Sequence, residues 1–278
     1  MARETLAHLR KWGAGALRAA DIDGADLDAR LLLQHAAGLA HEDLVADPQK
    51  TVDGALFRVL INRRAASEPV SRIIGQREFH GRDFMVTPDT LDPRADTETV
   101  IEEALAGEAS RILDLGTGTG AIAITLLSER PRWTGIATDI SSRALAIARA
   151  NAARHGVADR LGFVHGSWFD GIAGRFDLII SNPPYIPLAT IATLERDVKD
   201  FDPHQALDGG PDGLEAYRRI AAGAGAHLAG SGRVVLEIGA GQAADVTRIF
   251  ELAGFSRLNG RKDLGGHIRA LTFGLPRL

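Results

Sequence analysis

The sequence predicts an α/β protein: a mostly parallel sheet with helices on both faces, preceded by a small helical region and joined to it by a β-hairpin connector. Three observations carry this. From Asp96 onward, strand-like and helix-like segments alternate with βα periodicity. Before about Ala66, leucines and alanines recur at helical spacing. Between Glu68 and Arg94, prolines and glycines punctuate a short alternating stretch, Phe79–Val86, that fits a hairpin. The 278 residues allow one large domain or two ordinary ones. The changes of texture divide them at 1–75, 76–95 and 96–278.

Taken in order, Leu6, Leu9 and Leu17, then Leu27, Leu31, Leu32, Leu33 and Ala36, then Leu56, Val59, Leu60 and Ile61 read as the buried stripes of four or five short helices. Asp21-Ile22-Asp23-Gly24, Gly38 and Asp47-Pro48 separate them, with Asp26 or Asp47 expected as an N-cap or turn residue. This region has equal numbers of acidic and basic residues and carries no charge signal. In the connector, Glu68-Pro69-Val70, Pro88 and Pro93 disfavour a helix. The expected strands of the α/β region are Arg111–Leu115, Thr134–Asp139, Gly162–His165, Phe176–Ser181, Arg233–Ile238 and His267–Phe273.

Composition narrows the chemistry. With 45% hydrophobic and 24% charged residues, a net charge of −4 and a pI near 6.1, the profile is that of an ordinary soluble protein, without the basic excess of a bulk polyanion binder. The absence of cysteine removes disulfides, thiolate metal sites and cysteine nucleophiles. Nine scattered histidines, none at a His-x-x-x-His spacing, make a zinc site unexpected, and no metal is anticipated. No Gly-x-Ser-x-Gly elbow is present. The charged opening, Met1–Ala20, lacks the apolar core of a signal peptide, and no stretch approaches a membrane span, so a cytoplasmic location and no membrane partner are expected.

Ligands of such sheets bind at the carboxyl ends of the strands. The first strand ends in Asp114-Leu115-Gly116-Thr117-Gly118-Thr119-Gly120-Ala121 and runs into an apolar helix. Glycines allow a tight turn and close backbone approach, and the following helix offers free N–H groups. Gly116, Gly118 and Ala121 also satisfy the loose dinucleotide pattern, with Asp139 where a ribose-binding acid would stand, and a purely structural turn is a third reading. Asp114 favours a cationic ligand group, such as the ammonium of S-adenosylmethionine, because its carboxylate would repel a pyrophosphate.

The fourth strand runs into Asn182-Pro183-Pro184-Tyr185, the most specific feature of the chain. The prolines fix their φ angles and lack N–H groups, leaving carbonyls free for a ligand. Asn182 can accept and donate hydrogen bonds, and Tyr185 can pack its ring on a planar group. An ordinary proline turn is the alternative.

In the order Asp114–Gly120, Asp139, Gly166-Ser167-Trp168-Phe169, Asn182–Ile186, and with Arg63-Arg64, Glu68-Pro69, Phe79-x-Gly81-x-x-Phe84-x-Val86 and Pro93-Arg94 with Asp96-Thr97-Glu98 before them, the sequence resembles the class I S-adenosylmethionine-dependent methyltransferases, and within them the bacterial release-factor glutamine N5-methyltransferase family. The resemblance covers nearly the whole chain and implies a Rossmann-like methyltransferase sheet behind a substrate-docking helical domain. Asp92 before Pro93-Arg94, and Ala95 in place of a frequent proline, depart from the family's usual pattern.

Carried over, the resemblance implies cofactor binding by Asp114, Gly116, Thr117, Gly118, Thr119, Gly120, Asp139, Trp168 and Asn182, and substrate binding by Asn182, Pro183, Pro184 and Tyr185, with Asn182, Pro183 and Tyr185 catalytic. Gly116–Gly120 would wrap the methionine part, Asp139 bond the ribose hydroxyls and Trp168 lie by the adenine; the alternatives are a helix N-cap for Asp139 and a plain core aromatic for Trp168. The implied reaction transfers methyl from S-adenosylmethionine, leaving S-adenosylhomocysteine, to the N5 amide nitrogen of the Gly-Gly-Gln glutamine in class-1 peptide chain release factors, by a monomer. Methylation of an exocyclic amino group on a nucleic-acid base, or non-catalytic cofactor binding, are the alternatives; a nucleic-acid partner is disfavoured by the lack of a basic stripe or target-recognition insertion.

Three further features complete the expectations. Val235-Leu236-Glu237-Ile238-Gly239-Ala240-Gly241 mimics the first glycine loop but follows the tetrapeptide, and reads as the fifth strand with its turn. Thr190–Gly213 reads equally as a loop over the substrate or as solvated surface. Arg94 and Glu98 would shape the cofactor entrance, or Thr97 and its neighbours would cap a helix.

Overall fold

A computed structural model describes residues 3–276. The chain forms two compact units, one comprising residues 1–76 with 195–201, the other residues 77–194 with 202–278.

The first unit contains β1 (Arg3–Thr5), α1 (Leu6–Ala19), α2 (Ala25–Ala37), α3 (His41–Ala46), β2 (Thr51–Asp53), α4 (Ala55–Ala65) and α5 (Val70–Ile74). Its leucine stripes meet in part: Leu9, Leu17, Leu32, Leu33 and Ile61 are fully buried together with Phe57, whereas Leu27, Leu56 and Val59, expected in the same stripes, are exposed. Helix α1 starts at Thr5, whose hydroxyl accepts the His8 N–H at 3.2 Å. At Gly13 the helices pack so closely that a Cβ would stand 2.5 Å from the Phe57 ring. Arg64 donates to Asp28 at 2.6 Å between α4 and α2.

Two local expectations are corrected here, those for Asp26 and Pro69, while Asp47 is a turn residue as expected. Asp26 lies inside the first turn of α2, paired with Arg18, and the N-cap is Gly24; Asp47 follows α3 as a turn residue. Pro69 does not prevent a helix: it occupies the N-cap of α5, where a missing N–H costs nothing. Strands β1 and β2 pair antiparallel over three residues each, too short to leave a periodic signal.

The second unit begins with the expected hairpin, β3 (Gln76–Phe79) and β4 (Arg82–Met85). His80 and Gly81 both have positive φ, 50° and 71°, the requirement of a two-residue type I′ turn. Its Phe79 and Phe84 are buried in the core of this unit. Then follow α6 (Glu98–Leu105), β5 (Arg111–Leu115), α7 (Ala121–Glu129), β6 (Thr134–Asp139), α8 (Ser142–Arg154), β7 (Leu161–His165), β8 (Phe176–Ser181), and the short helices α9 (Leu188–Ile191), α10 (Arg196–Lys199, within the stretch that joins the first unit) and α11 (His204–Leu207). The chain closes with α12 (Glu215–His227), β9 (Leu228–Glu237), α13 (Ala243–Leu252), β10 (Ser256–Lys262) and β11 (Ile268–Gly274).

Seven strands form one sheet in the order β10-β11-β9-β8-β5-β6-β7. All pairs from β9 through β7 are parallel, and β11 runs antiparallel to both of its neighbours. Alternate residues of the central strands face opposite cores. Ile112, Leu178, Ile180 and Val235 lie with Ile101, Ile124 and Leu127 on one face. Leu113, Leu115, Ile179, Val234 and Leu236 lie with Tyr217, Ile220, Val246 and Phe250 on the other. The order of connections reverses between β5 and β8, and the crevice outside the carboxyl ends at such a switch is where ligands bind.

Candidate active site

A cleft of about 490 Å³ opens at that switch point. Gly116, Thr117, Gly118 and Thr119 from the β5–α7 turn, Asp139 from the end of β6, Trp168 from the segment after β7, and Asn182 and Pro184 after β8 all line it. Residues from four consecutive strand ends thus converge, although 66 positions separate Gly116 from Asn182. The opposite wall comes from Pro88–Pro93, Pro203, Gln205, Ala206 and Asp208.

The glycine turn needs its glycines: Gly116, Gly118 and Gly120 have φ of 70°, 55° and 82°. Gly120 lies behind the turn, where a Cβ would meet Ile124 at 2.7 Å. Beneath the turn Asp114 is fully buried. One carboxyl oxygen accepts the Thr117 hydroxyl at 2.6 Å, and the other, Oδ1, is buried without a hydrogen-bond partner. Burial pushes this carboxyl up to about 7 against the pull of the Thr117 bond. Beneath a turn that lines the cleft, this carboxyl, favoured as the anion by the Thr117 hydroxyl and the Ala123 N–H, suits the cationic amino-acid end of S-adenosylmethionine better than a pyrophosphate.

Asp139 ties two strand ends together. One oxygen accepts the Gly118 N–H at 2.9 Å and the other the Ser141 N–H at 2.8 Å, while burial raises its pKa. The helix N-cap is Ser141, whose hydroxyl accepts from the Ala144 N–H. Asp139 is therefore not the cap, and its oxygens keep lone pairs toward the cleft. Trp168 adopts φ of 51°, packs partly on the core and also lines the cleft.

Asn182 is held from behind. Its Nδ2 donates to Thr97 Oγ1 at 3.2 Å, and Thr97 donates to the buried Glu237 carboxylate at 2.6 Å. The tetrapeptide is also clamped along its backbone. Gln242 donates from Nε2 to the carbonyls of Tyr185 and Gly213, at 3.0 and 3.2 Å, and accepts at Oε1 from the Gly239 N–H at 2.9 Å; the Tyr217 hydroxyl, 3.3 Å from the same oxygen, lies nearer the Glu237 carbonyl, at 3.1 Å. Gly209 passes so near Tyr185 that a Cβ would stand 2.9 Å from its backbone.

Four expected site residues stand outside the cleft lining: Asp114, Gly120, Pro183 and Tyr185. For Tyr185 this is a correction. Its ring packs on the apolar core and its hydroxyl faces Glu237 at 3.5 Å, and burial raises the phenol's pKa, keeping it protonated. Thr97, Glu237 and Gln242 were not singled out as site residues. Thr97 makes no helix-capping hydrogen bond, and the mimic loop of β9 supplies Glu237 to the back of the site. The signal available for Glu237 was an acid at the carboxyl end of the strand beside β8. Arg94 pairs with Asp202 at 2.5 Å and Glu98 accepts the His80 N–H, so neither lines the cleft. Thr190–Gly213 divides: Pro203–Asp208 reaches the cleft, Gly209–Gly213 braces the tetrapeptide, and 195–201 groups with the first unit.

Comparison with known proteins decides between the ligand readings. Residues 8–75 match the model of the PrmC N-terminal domain, and residues 90–194 that of the methyltransferase small domain. A release factor glutamine methyltransferase of Agrobacterium fabrum is 47% identical over 92% of this chain and 93% of its own, and one from Cereibacter sphaeroides is 50% identical over 94% and 95%. The chain belongs to the release factor glutamine methyltransferase family. The crystal structure of a methyltransferase from Pyrococcus furiosus, 20% identical, superposes with a TM-score of 0.56 over 78% of this chain and 97% of its own, which supports the fold alone. This family member is thus a methyltransferase that uses S-adenosylmethionine, and the dinucleotide reading of Gly116–Ala121 falls away. Among the described residues no helix is long and apolar enough to cross a membrane, and no group of three or more acidic or histidine side chains is placed to hold a metal.

Proposed function

We infer that the enzyme methylates the N5 amide nitrogen of the Gly-Gly-Gln glutamine in class-1 release factors, in the cytoplasm, through the residues gathered at the switch point. The observation that carries the reading is Asn182, fixed in orientation at the cleft beside the glycine turn in a chain of this family.

A glutamine amide nitrogen is a weak nucleophile because its lone pair is delocalised. S-adenosylmethionine supplies a methyl carbon that is already strongly electrophilic. The protein's task is therefore to hold and polarise the amide. Asn182 Oδ1 and the Pro183 carbonyl accept the two amide hydrogens and present the nitrogen in line with the S–CH₃ bond. As the N–CH₃ bond forms and the S–CH₃ bond breaks, both acceptors stabilise the positive charge developing on nitrogen. The proton then leaves to water, so no protein nucleophile or histidine base is required. Pro184 walls the cleft, and Tyr185 acts by anchoring the loop.

Asp139 would accept from the ribose hydroxyls, Trp168 would flank the adenine, and Gly116–Gly120 with Asp114 would hold the methionine end. Residues 1–75 would dock the protein substrate, with 76–95 as connector and 96–278 as catalytic domain. Incubation with methyl-labelled S-adenosylmethionine should label a release factor, but neither one whose Gly-Gly-Gln glutamine is replaced nor duplex DNA. Label that ignores the glutamine replacement would refute the assignment. Deletion of Met1–Gly75, provided the remainder folds, should impair methylation of intact release factor more than that of a short glutamine peptide.

A further inference from the structure

The buried carboxylate of Glu237 is not used by the transfer step, yet it lies at the far end of a chain of hydrogen bonds reaching Asn182. It is almost fully buried, with Thr97 Oγ1 at 2.6 Å and the Tyr185 hydroxyl at 3.5 Å. An ionised carboxylate only accepts, and a threonine hydroxyl has one hydrogen to give. With that hydrogen donated to Glu237, Thr97 can offer Asn182 only a lone pair. The Asn182 amide must then turn its NH₂ toward Thr97, as observed at 3.2 Å, and its oxygen away from it.

We propose that Glu237, acting through Thr97, sets which way round the Asn182 amide sits, so that its oxygen and not its NH₂ meets the amide hydrogens of the substrate. The proposal rests on the reading of Asn182 as the substrate's acceptor. Glu237, which lies outside the cleft lining, and Thr97, which lines the cleft beside Asn182, are positioning residues by this account: they act through the Asn182 amide. Protonation of Glu237 reverses the polarity: its O–H donates to Thr97, the Thr97 hydrogen turns to Asn182 Oδ1, and the NH₂ faces an N–H that it cannot accept.

The surroundings of Glu237 bring that reversal into the working range. Thr97 and Asp96 face it from the turn before α6, Tyr185 from the loop after β8 and Arg269 from β11, and the Tyr217 hydroxyl of α12 donates to its backbone carbonyl at 3.1 Å. Burial pushes the carboxyl up to about 7; the Thr97 bond and the Arg269 charge oppose this, and Asp96 adds to it. Arg269 is itself shared with Asp96 and Asp263, at 3.0 and 3.2 Å.

The test uses the full-length enzyme, a class-1 release factor and labelled S-adenosylmethionine, with kcat and KM measured from pH 5.5 to 9 and cofactor affinity by calorimetry. Thr97→Val removes the relay with little change of shape, Thr97→Ser keeps it, and Glu237→Gln keeps an oxygen that can still accept from Thr97 but no longer titrates. Thr97→Val should lower kcat by about 10- to 100-fold, less than the loss expected on removing a transition-state partner outright, and Glu237→Gln should hold kcat while flattening its fall below pH 7. Cofactor affinity and KM should stay within about twofold, and Thr97→Ser should restore kcat. The wild type should lose kcat below a limb near pH 7 that Thr97→Val lacks. Wild-type kcat in Thr97→Val, equal losses in Thr97→Ser, or an unaltered acid limb in Thr97→Val would each overturn the proposal. Should Glu237→Gln not fold, the threonine pair decides. Asn182→Ala separates the two readings: if it abolishes transfer while Thr97→Val does not, only the positioning role fails, and if it leaves transfer intact, the acceptor reading fails with it.

Discussion

Replacing Asp139 by alanine removes two things at once, and the structure lets them be measured apart. In the protein alone, its carboxylate accepts backbone N–H groups from Gly118 and Ser141, at 2.9 and 2.8 Å. Charge-assisted bonds are worth about 1.5–3 kcal/mol each where water cannot replace them. Asp139 is only half-buried, so water recovers much of that, leaving a net loss of about 2 kcal/mol. At about 2–4 °C per kcal/mol for a chain of this size, Tm should fall by roughly 4–8 °C. On the proposed ribose role, the ribose hydroxyls would lose the same acceptor in the complex, and two such bonds correspond to a fall in S-adenosylmethionine affinity of about a hundredfold or more. Asp139→Glu, which keeps the charge but displaces it by one methylene, should fall between. Thermal denaturation and isothermal titration on all three proteins measure the two effects. An Asp139→Ala enzyme that melts early yet binds the cofactor within about threefold of wild type would reduce Asp139 to a brace between strand ends and refute its ribose role.

Asp114 carries a pH expectation with a definite sign. Because folding raises its pKa from the ordinary 3.8 to about 7, the folded state holds a proton that the unfolded state has released, and the cofactor-free protein should lose stability as pH rises from 4 to 7. Binding of a cationic ligand end should pull that pKa down and release a proton near pH 7. Calorimetry in buffers of different ionisation enthalpy should detect the release and find it reduced in Asp114→Asn; identical proton release in the two proteins would exclude the contact. Gly209→Ala should leave cofactor affinity nearly intact while lowering kcat at least tenfold, because the added methyl, 2.9 Å from the Tyr185 backbone, must displace the tetrapeptide. Tyr217→Phe should cost about 1–2 kcal/mol of stability in denaturant melts, since it strips the hydrogen bond from the buried Glu237 carbonyl.

The sheet was legible where its strands are apolar on both faces. Arg111–Leu115, Thr134–Asp139 and Phe176–Ser181 have the boundaries expected; the first ends at Gly116 and the third at Asn182-Pro183, which interrupt the strand. Strand β10 was missed because Ser256–Lys262 is an edge strand with a polar, largely exposed sequence and two register shifts against β11. Asn182 and Asp139 could be chosen from sequence because strand ends in this topology point to one crevice. Thr97 and Glu237 could not, since their bond spans 140 positions and depends on where α6 meets the end of β9. Tyr185 was misjudged for the complementary reason: an aromatic after two prolines suggests a stacking surface, and only the packing of the core shows that the ring has turned inward.

Gln242 gives both hydrogens of its side-chain amide to carbonyls and accepts a backbone N–H at its oxygen. That use of both donors makes the residue chemically vulnerable as well as structurally useful. Hydrolysis of the amide to glutamate would leave the carbon skeleton unchanged but would set an acceptor against the Tyr185 and Gly213 carbonyls, which have no hydrogen to offer. A one-atom lesion of slow ageing, a gain of about one dalton in mass, would thus loosen the active-site loop from outside the cleft.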